Sequence, residues 1–97
     1  MKAKIHPHAK AELYDSVVVY ESQGKGVGAD FYKEVFAAID RIVEHPSAWP
    51  CIDGEFRHCR TRRYPYGIVY SIEKRYILVV AVMHNRRKPG YWKCRVQ

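Results

Sequence analysis

The residues best equipped for chemistry gather at one place, where His84-Asn85-Arg86-Arg87-Lys88-Pro89-Gly90-Tyr91-Trp92 follows directly on the apolar run from Tyr76 to Met83. Imidazole can exchange a proton near neutral pH, and guanidinium offers planar, permanently charged forks that suit phosphate. Tyr66, Tyr91 and Trp92 add rings able to stack on bases, although Trp92 is expected to serve the core. A second cationic set lies in Arg57-His58-Cys59-Arg60-Thr61-Arg62-Arg63, which alternates so that Cys59 and Thr61 face inward while His58, Arg60 and Arg62 face outward. His84, Arg86 and Arg87 are expected to arrive on the same sheet. Such a set suits RNA cleavage, in which a base activates the ribose 2′-hydroxyl and cations stabilise the phosphorane, with His84, Arg60, Arg87 and Tyr91 as the candidate catalytic groups. It equally suits docking onto an acidic macromolecule through Arg60, Arg62, Arg86 and Arg87. A solvated edge strand whose charges discourage aggregation explains the arginines as well.

Other chemistries find no support. Cys51, Cys59 and Cys94 are odd in number and lack a CxxC spacing, which speaks against both a disulfide framework and a zinc knuckle. His6 and His8 are separated by Pro7, and Gly24-x-Gly26-x-Gly28 does not follow a strand, so neither a metal site nor a dinucleotide fingerprint is expected. No cofactor is implied.

The elements that must position these groups follow from periodicity. The Tyr76–Met83 run is too short for a bilayer and too rich in β-branched residues for a comfortable helix, so it reads as a central strand buried on both faces. Residues 2 to 6 read as a short strand ending at Pro7. From His8, the stripe Ala9, Leu13, Val17 and Tyr20 marks a helix, and Val27, Phe31, Val35, Ala38, Ile39 and Ile42 mark a second over 28–44, closed by Pro46. The glycine-bearing link between them predicts an antiparallel helix hairpin. Residues 46 to 55 read as a loop, followed by strands Phe56–Arg63, Tyr66–Glu73 and Tyr76–Met83 in a meander. Counting traversals places the first strand antiparallel to the last and beside it. The expected fold is α+β, ordered β-α-α-β-β-β, with the helix hairpin on one face of a mainly antiparallel four-stranded sheet. Its other face is left partly open, with residues 89 to 97 able to cover some of it.

The 97 residues suit one domain, 1–97, and a formal charge of +7, from 17 Lys and Arg against 10 Asp and Glu, favours polyanionic partners. The N-terminus lacks an apolar signal region and no window reaches transmembrane length, so a cytoplasmic protein with no membrane partner is expected.

Across almost the whole chain the sequence resembles the RelE/ParE superfamily of toxins from type II toxin-antitoxin systems, often described as plasmid stabilisation proteins. The resemblance is carried by Ala9 to Leu13, Tyr20-Glu21, Phe31, Val35 and His45-Pro46. More specific are Tyr64-Pro65-Tyr66-x-Ile68-x-Tyr70 and the ending His84-x-x-Arg87-x-Pro89-x-Tyr91-Trp92. It implies a small growth-inhibiting toxin neutralised by a cognate antitoxin with an acidic C-terminal segment, operator DNA being contacted only through that antitoxin. It also implies a division of mechanism: ParE-like members act on DNA gyrase without being nucleases, whereas RelE-like members are ribosome-dependent mRNA endonucleases (mRNA interferases). Tyr91-Trp92 looks ParE-like, and Arg60 with Arg62 is compatible with the RelE side, but only Glu55, in a loop, offers a carboxylate base. The resulting expectation is a gyrase-directed, non-enzymatic toxin, with mRNA cleavage as the alternative.

Overall fold

The computed structural model describes residues 1–96. Strand β1 (Lys2–Ile5) leads into helix α1 (Pro7–Gln23), and helix α2 (Val27–Glu44) returns antiparallel to it. The strands β2 (Cys51–Asp53), β3 (Phe56–Arg60), β4 (Tyr66–Ile72) and β5 (Tyr76–His84) follow, and a short 3-10 turn, Lys93–Val96, closes the described chain. The sheet order is β1-β5-β4-β3-β2, so the apolar run is interior, as its composition requires.

Proline at the first position of α1 supplies a preset φ where no intrahelical N–H bond is needed, and the His6 imidazole caps the helix by accepting from the His8 N–H at 3.1 Å. The close spacing of His6 and His8 is therefore a helix start. At the other end, Gly26 has no side chain with which to cap α2. The Glu21 carboxylate does so instead, accepting from the Gly26 and Gly28 N–H groups at 3.0–3.1 Å near the positive end of the helix dipole. Gly28 also lets the two helices meet, because a Cβ there would stand 2.6 Å from the Val17 carbonyl oxygen.

Two expectations about the sheet are corrected. It has five strands, and β1 pairs with β5 in parallel, not antiparallel. One cause explains both: Cys51–Asp53, read as part of a loop, forms a hairpin with β3 through Gly54-Glu55, and one extra traversal reverses the direction of everything after it. Its three residues are all exposed, so no apolar periodicity marks it. The strand expected over Phe56–Arg63 also ends sooner, at Arg60.

The register of β4 on β5 passes from Val69↔Ala81 to Tyr70↔Val79, leaving Val80 as an extra residue in a bulge. Val79 and Val82 consequently face the helices, whereas Val80 and Ala81 both face the opposite side. The main core lies under the helices, around Leu13, Phe31, Val35, Ile42, Ile68 and Tyr70. A smaller core on the far side consists of Val69, Val80, Ala81 and Trp92, with Phe56 packed against the indole at 4.8 Å between ring centroids. The tail thus covers the second face with Trp92, which is 1 % exposed, in the core role its sequence suggested. Gln97, included in the expected covering tail, lies outside the described residues.

Candidate functional site at the end of the central strand

Past Val79 the outer edge of β5 has no strand beside it among the described residues, because β1 ends at Ile5 and the last backbone bond of that ladder is His6 N–H to Val79 O at 2.8 Å. Side chains take over the exposed edge. The Glu12 carboxylate accepts from the Val82 N–H at 3.1 Å, and the Arg95 guanidinium donates to the Val80 carbonyl at 3.0 Å. The two side chains also pair with each other through contacts of 2.7 and 3.0 Å, and Tyr91 donates its hydroxyl to Glu12. The tail is thereby fastened to α1 through a mostly buried ion pair, with 10 % of the Arg95 side chain and 17 % of Glu12 exposed. Burial, then the bond to Glu12, pushes the Tyr91 hydroxyl far above its ordinary pKa, so it stays protonated and committed as a donor.

Tyr91 in turn carries the cations. The Arg87 guanidinium lies 3.9 Å from its ring centroid and that of Arg95 5.1 Å, an arrangement favoured by the ring quadrupole. Arg87 lines two clefts. One, of about 270 Å3, lies on the helix side and includes Glu12, Tyr66, His84 and Tyr91. The other, of about 310 Å3, lies on the tail side and includes His58, Met83, Asn85 and Trp92.

The expected convergence of the site residues is only partly realised. His84 pairs across the sheet with Tyr66 and packs edge-on against its ring at 5.2 Å, on the helix side. Its Nδ1 accepts from the Arg86 N–H at 3.1 Å, which shapes the turn. Arg60 adjoins the inward-facing Cys59 and projects to the opposite side, as does His58. Because strand residues alternate, the imidazole of His84 and the guanidinium of Arg60 are placed on opposite faces. Arg60, Arg62, Arg86 and Arg87 are exposed, and none is paired with a carboxylate among the described residues. The neighbouring Arg63 is different: it binds Asp30 at 3.0 Å and Glu34 at 3.3 Å.

The aromatic rings are committed as well. Tyr66 belongs to a cluster with Tyr20, Phe31 and Tyr64 beneath the helices, and Trp92 is buried. Sequence reasoning missed Glu12, Arg95 and Asn85. Glu12 had one signal, a carboxylate between the stripe residues Ala9 and Leu13. No group of three or more His, Cys, Asp or Glu residues among the described residues could hold a metal ion.

The architecture is thus a two-helix hairpin packed on a mostly antiparallel sheet, with a basic strand end locked by the tail. The chain belongs to the family described as ParE toxin of type II toxin-antitoxin system, parDE, which matches residues 3–89. Among solved structures it is similar to one titled "Chromosomal ParDE TA system from P. aeruginosa", with a TM-score of 0.77 and 14% identity over 87% of this chain and 95% of that one. At that identity the likeness concerns the fold. No curated protein matches. None of the described helices is long and apolar enough to cross a membrane.

Proposed function

We propose that this ParE-family toxin acts by binding a macromolecular target, DNA gyrase, without cleaving nucleic acid, and that a cognate antitoxin with an acidic segment neutralises it. The observation that carries this reading is the separation of the proton-transfer groups His84 and Tyr91 from the free cations Arg60 and Arg62, Arg87 alone sharing a cleft with them. His84 is packed against Tyr66, the Tyr91 hydroxyl is held by Glu12, and the unpaired Arg60 and Arg62 lie elsewhere. General acid–base catalysis requires those groups within hydrogen-bond reach of one phosphate. A docking surface requires only that the arginines be presented.

The antitoxin's apolar contacts are best assigned to the outer side of α1, since the tail already occupies much of the sheet face. Tyr14, Val18 and Val19 are 52%, 69% and 55% exposed there, far more than a solitary helix surface needs. One specific observation favours the alternative of mRNA cleavage: the partner-free His58 imidazole shares a cleft with Arg87.

Purified toxin separates the two. Inhibition of gyrase supercoiling with accumulation of cleaved DNA complexes, and no cutting of mRNA on programmed ribosomes, is the expected result. Codon-phased mRNA cutting with gyrase unaffected would overturn it.

A further inference from the structure

Among the described residues, only two buried side-chain polar atoms have no hydrogen-bond partner in the protein, His58 Nε2 and Asn85 Oδ1, and both residues line the 310 Å3 cleft on the tail side. Native folds seldom leave such atoms orphaned, so two in one cleft point to an occupant that satisfies them. The imidazole lies directly over Gly67, where a Cβ would come within 1.9 Å of Nε2. Glycine is thus what admits His58 to this position. Burial, and then the charge of Arg60, lower its pKa, so the ring stands neutral at physiological pH.

The remaining walls are mostly apolar, with Ile52, Met83, Pro89 and Trp92 among them. The exposed Arg87 stands at the cleft, and Lys93 there is tied to Asp53. The volume is at the lower end of the range for small-ligand pockets, about 300–1,000 Å3. A fitting occupant brings a flat apolar body, a donor for Asn85 Oδ1 and a group for His58 Nε2. A phenol meets all three, its hydroxyl donating to Asn85 and accepting from an imidazole N–H. Arg87, the one unpaired charge among the described residues of the cleft, favours an acidic flank. Among the described residues lining this cleft no aromatic face stands free to stack a base, since Trp92 is 1 % exposed, and this favours a protein side chain over a nucleotide.

We propose that this cleft is an anchor pocket for a tyrosine on an acidic segment of a partner protein, with Asn85 and His58 reading its hydroxyl. Buried tyrosines in desolvated pockets are recurrent anchors of protein interfaces. The inference rests on the reading that the toxin works by binding another protein.

The test uses the full chain with two short peptides, acetyl-Asp-Tyr-Glu-amide and its Phe analogue, followed by NMR at the Asn85 amide, the Met83 methyl and the Trp92 indole. The Tyr peptide is expected to bind about 10- to 100-fold more tightly than the Phe peptide, the worth of two hydrogen bonds. Asn85→Leu, or Asn85→Ser if the first variant does not fold, should narrow the gap to about 5- to 10-fold, the worth of the one bond left to His58. Equal binding of both peptides to the native chain, no saturable shift by about 10 mM, or tighter binding of AMP or GMP than of the Tyr peptide would overturn the pocket. Gyrase binding is measured alongside with the native chain and Asn85→Leu. Peptide discrimination without gyrase binding would retain the pocket and remove gyrase as the target. Gyrase binding unchanged by Asn85→Leu, with no peptide discrimination, would do the reverse.

Discussion

Glu12 gathers four donated hydrogen bonds from three residues: the Val82 N–H, the Tyr91 hydroxyl and two from Arg95. Removing one partner of a mostly buried pair strands the other, so Glu12→Ala is expected to destabilise the fold by about 2–4 kcal/mol, slightly below a fully buried pair because both groups retain some exposure. Tyr91→Phe keeps the ring between Arg87 and Arg95 and should cost only about 1 kcal/mol. Denaturant unfolding of the two variants checks the ranking; equal losses would count against Glu12 as the centre of the lock. On the functional side, His84→Gln should change toxicity little, whereas Arg60→Ala and Arg87→Ala should weaken it. A growth assay without antitoxin distinguishes them, and loss of toxicity in His84→Gln alone would support the nuclease alternative. His58 has a further consequence for pH. Burial lowers its pKa from 6.5, so the unfolded chain takes up the proton first. The stability present above pH 6.5 is therefore lost as pH falls through the lower folded value. His58→Phe should flatten this acid-side slope in thermal melts, and an unchanged slope would count against the lowered His58 pKa.

At the scale of elements, the helix hairpin depends on close backbone approach. A methyl at position 28 meets a backbone carbonyl of α1, which cannot rotate away, so Gly28→Ala must separate the helices and should cost about 1–3 kcal/mol. Calorimetric melting tests this, and a neutral effect would mean that the hairpin has slack. The loop after α2 is held in a comparable way. The Tyr70 hydroxyl donates to the Pro46 carbonyl at 2.6 Å, and burial pushes its pKa up to about 12. Arg57 donates to the Trp49 carbonyl at 2.6 Å. These bonds help a three-residue strand to form where composition shows only a loop. Helix α2 was legible because it keeps its apolar stripe on one side; β2 was not, because none of its residues is buried.

For the whole molecule, a +7 chain paired with an acidic antitoxin would dissociate readily in salt if charge alone held the complex. The exposed Tyr14, Val18 and Val19 predict otherwise. The complex should survive about 0.5 M salt, several-fold above physiological strength, and Val18→Asp should weaken neutralisation while leaving the free toxin active. Gel filtration across a salt series, with co-expression of the variant, is the check. Dissociation of the native complex near that strength would argue against apolar burial.

The amino-acid sequence alone determined the elements whose patterns repeat locally: the α1 and α2 stripes, the meander, and a central strand signalled by eight consecutive apolar residues from Tyr76 to Met83. It also indicated the basic strand end. Only the tertiary structure decided the direction of β1 relative to β5, because an exposed three-residue strand carries no apolar pattern and yet reverses the parity of the traversal. It alone decided which side chains meet. A one-residue bulge at Val80 resets the facing of a strand, and alternation places His84 and Arg60 on opposite faces although both belong to one sheet. The bonds from Glu12 to Tyr91 and Arg95 join residues 79 and 83 positions apart, and they exist because β1 ends before β5 does. Periodicity is a property of neighbours along the chain, whereas an uncovered strand edge is created only when distant segments pack side by side.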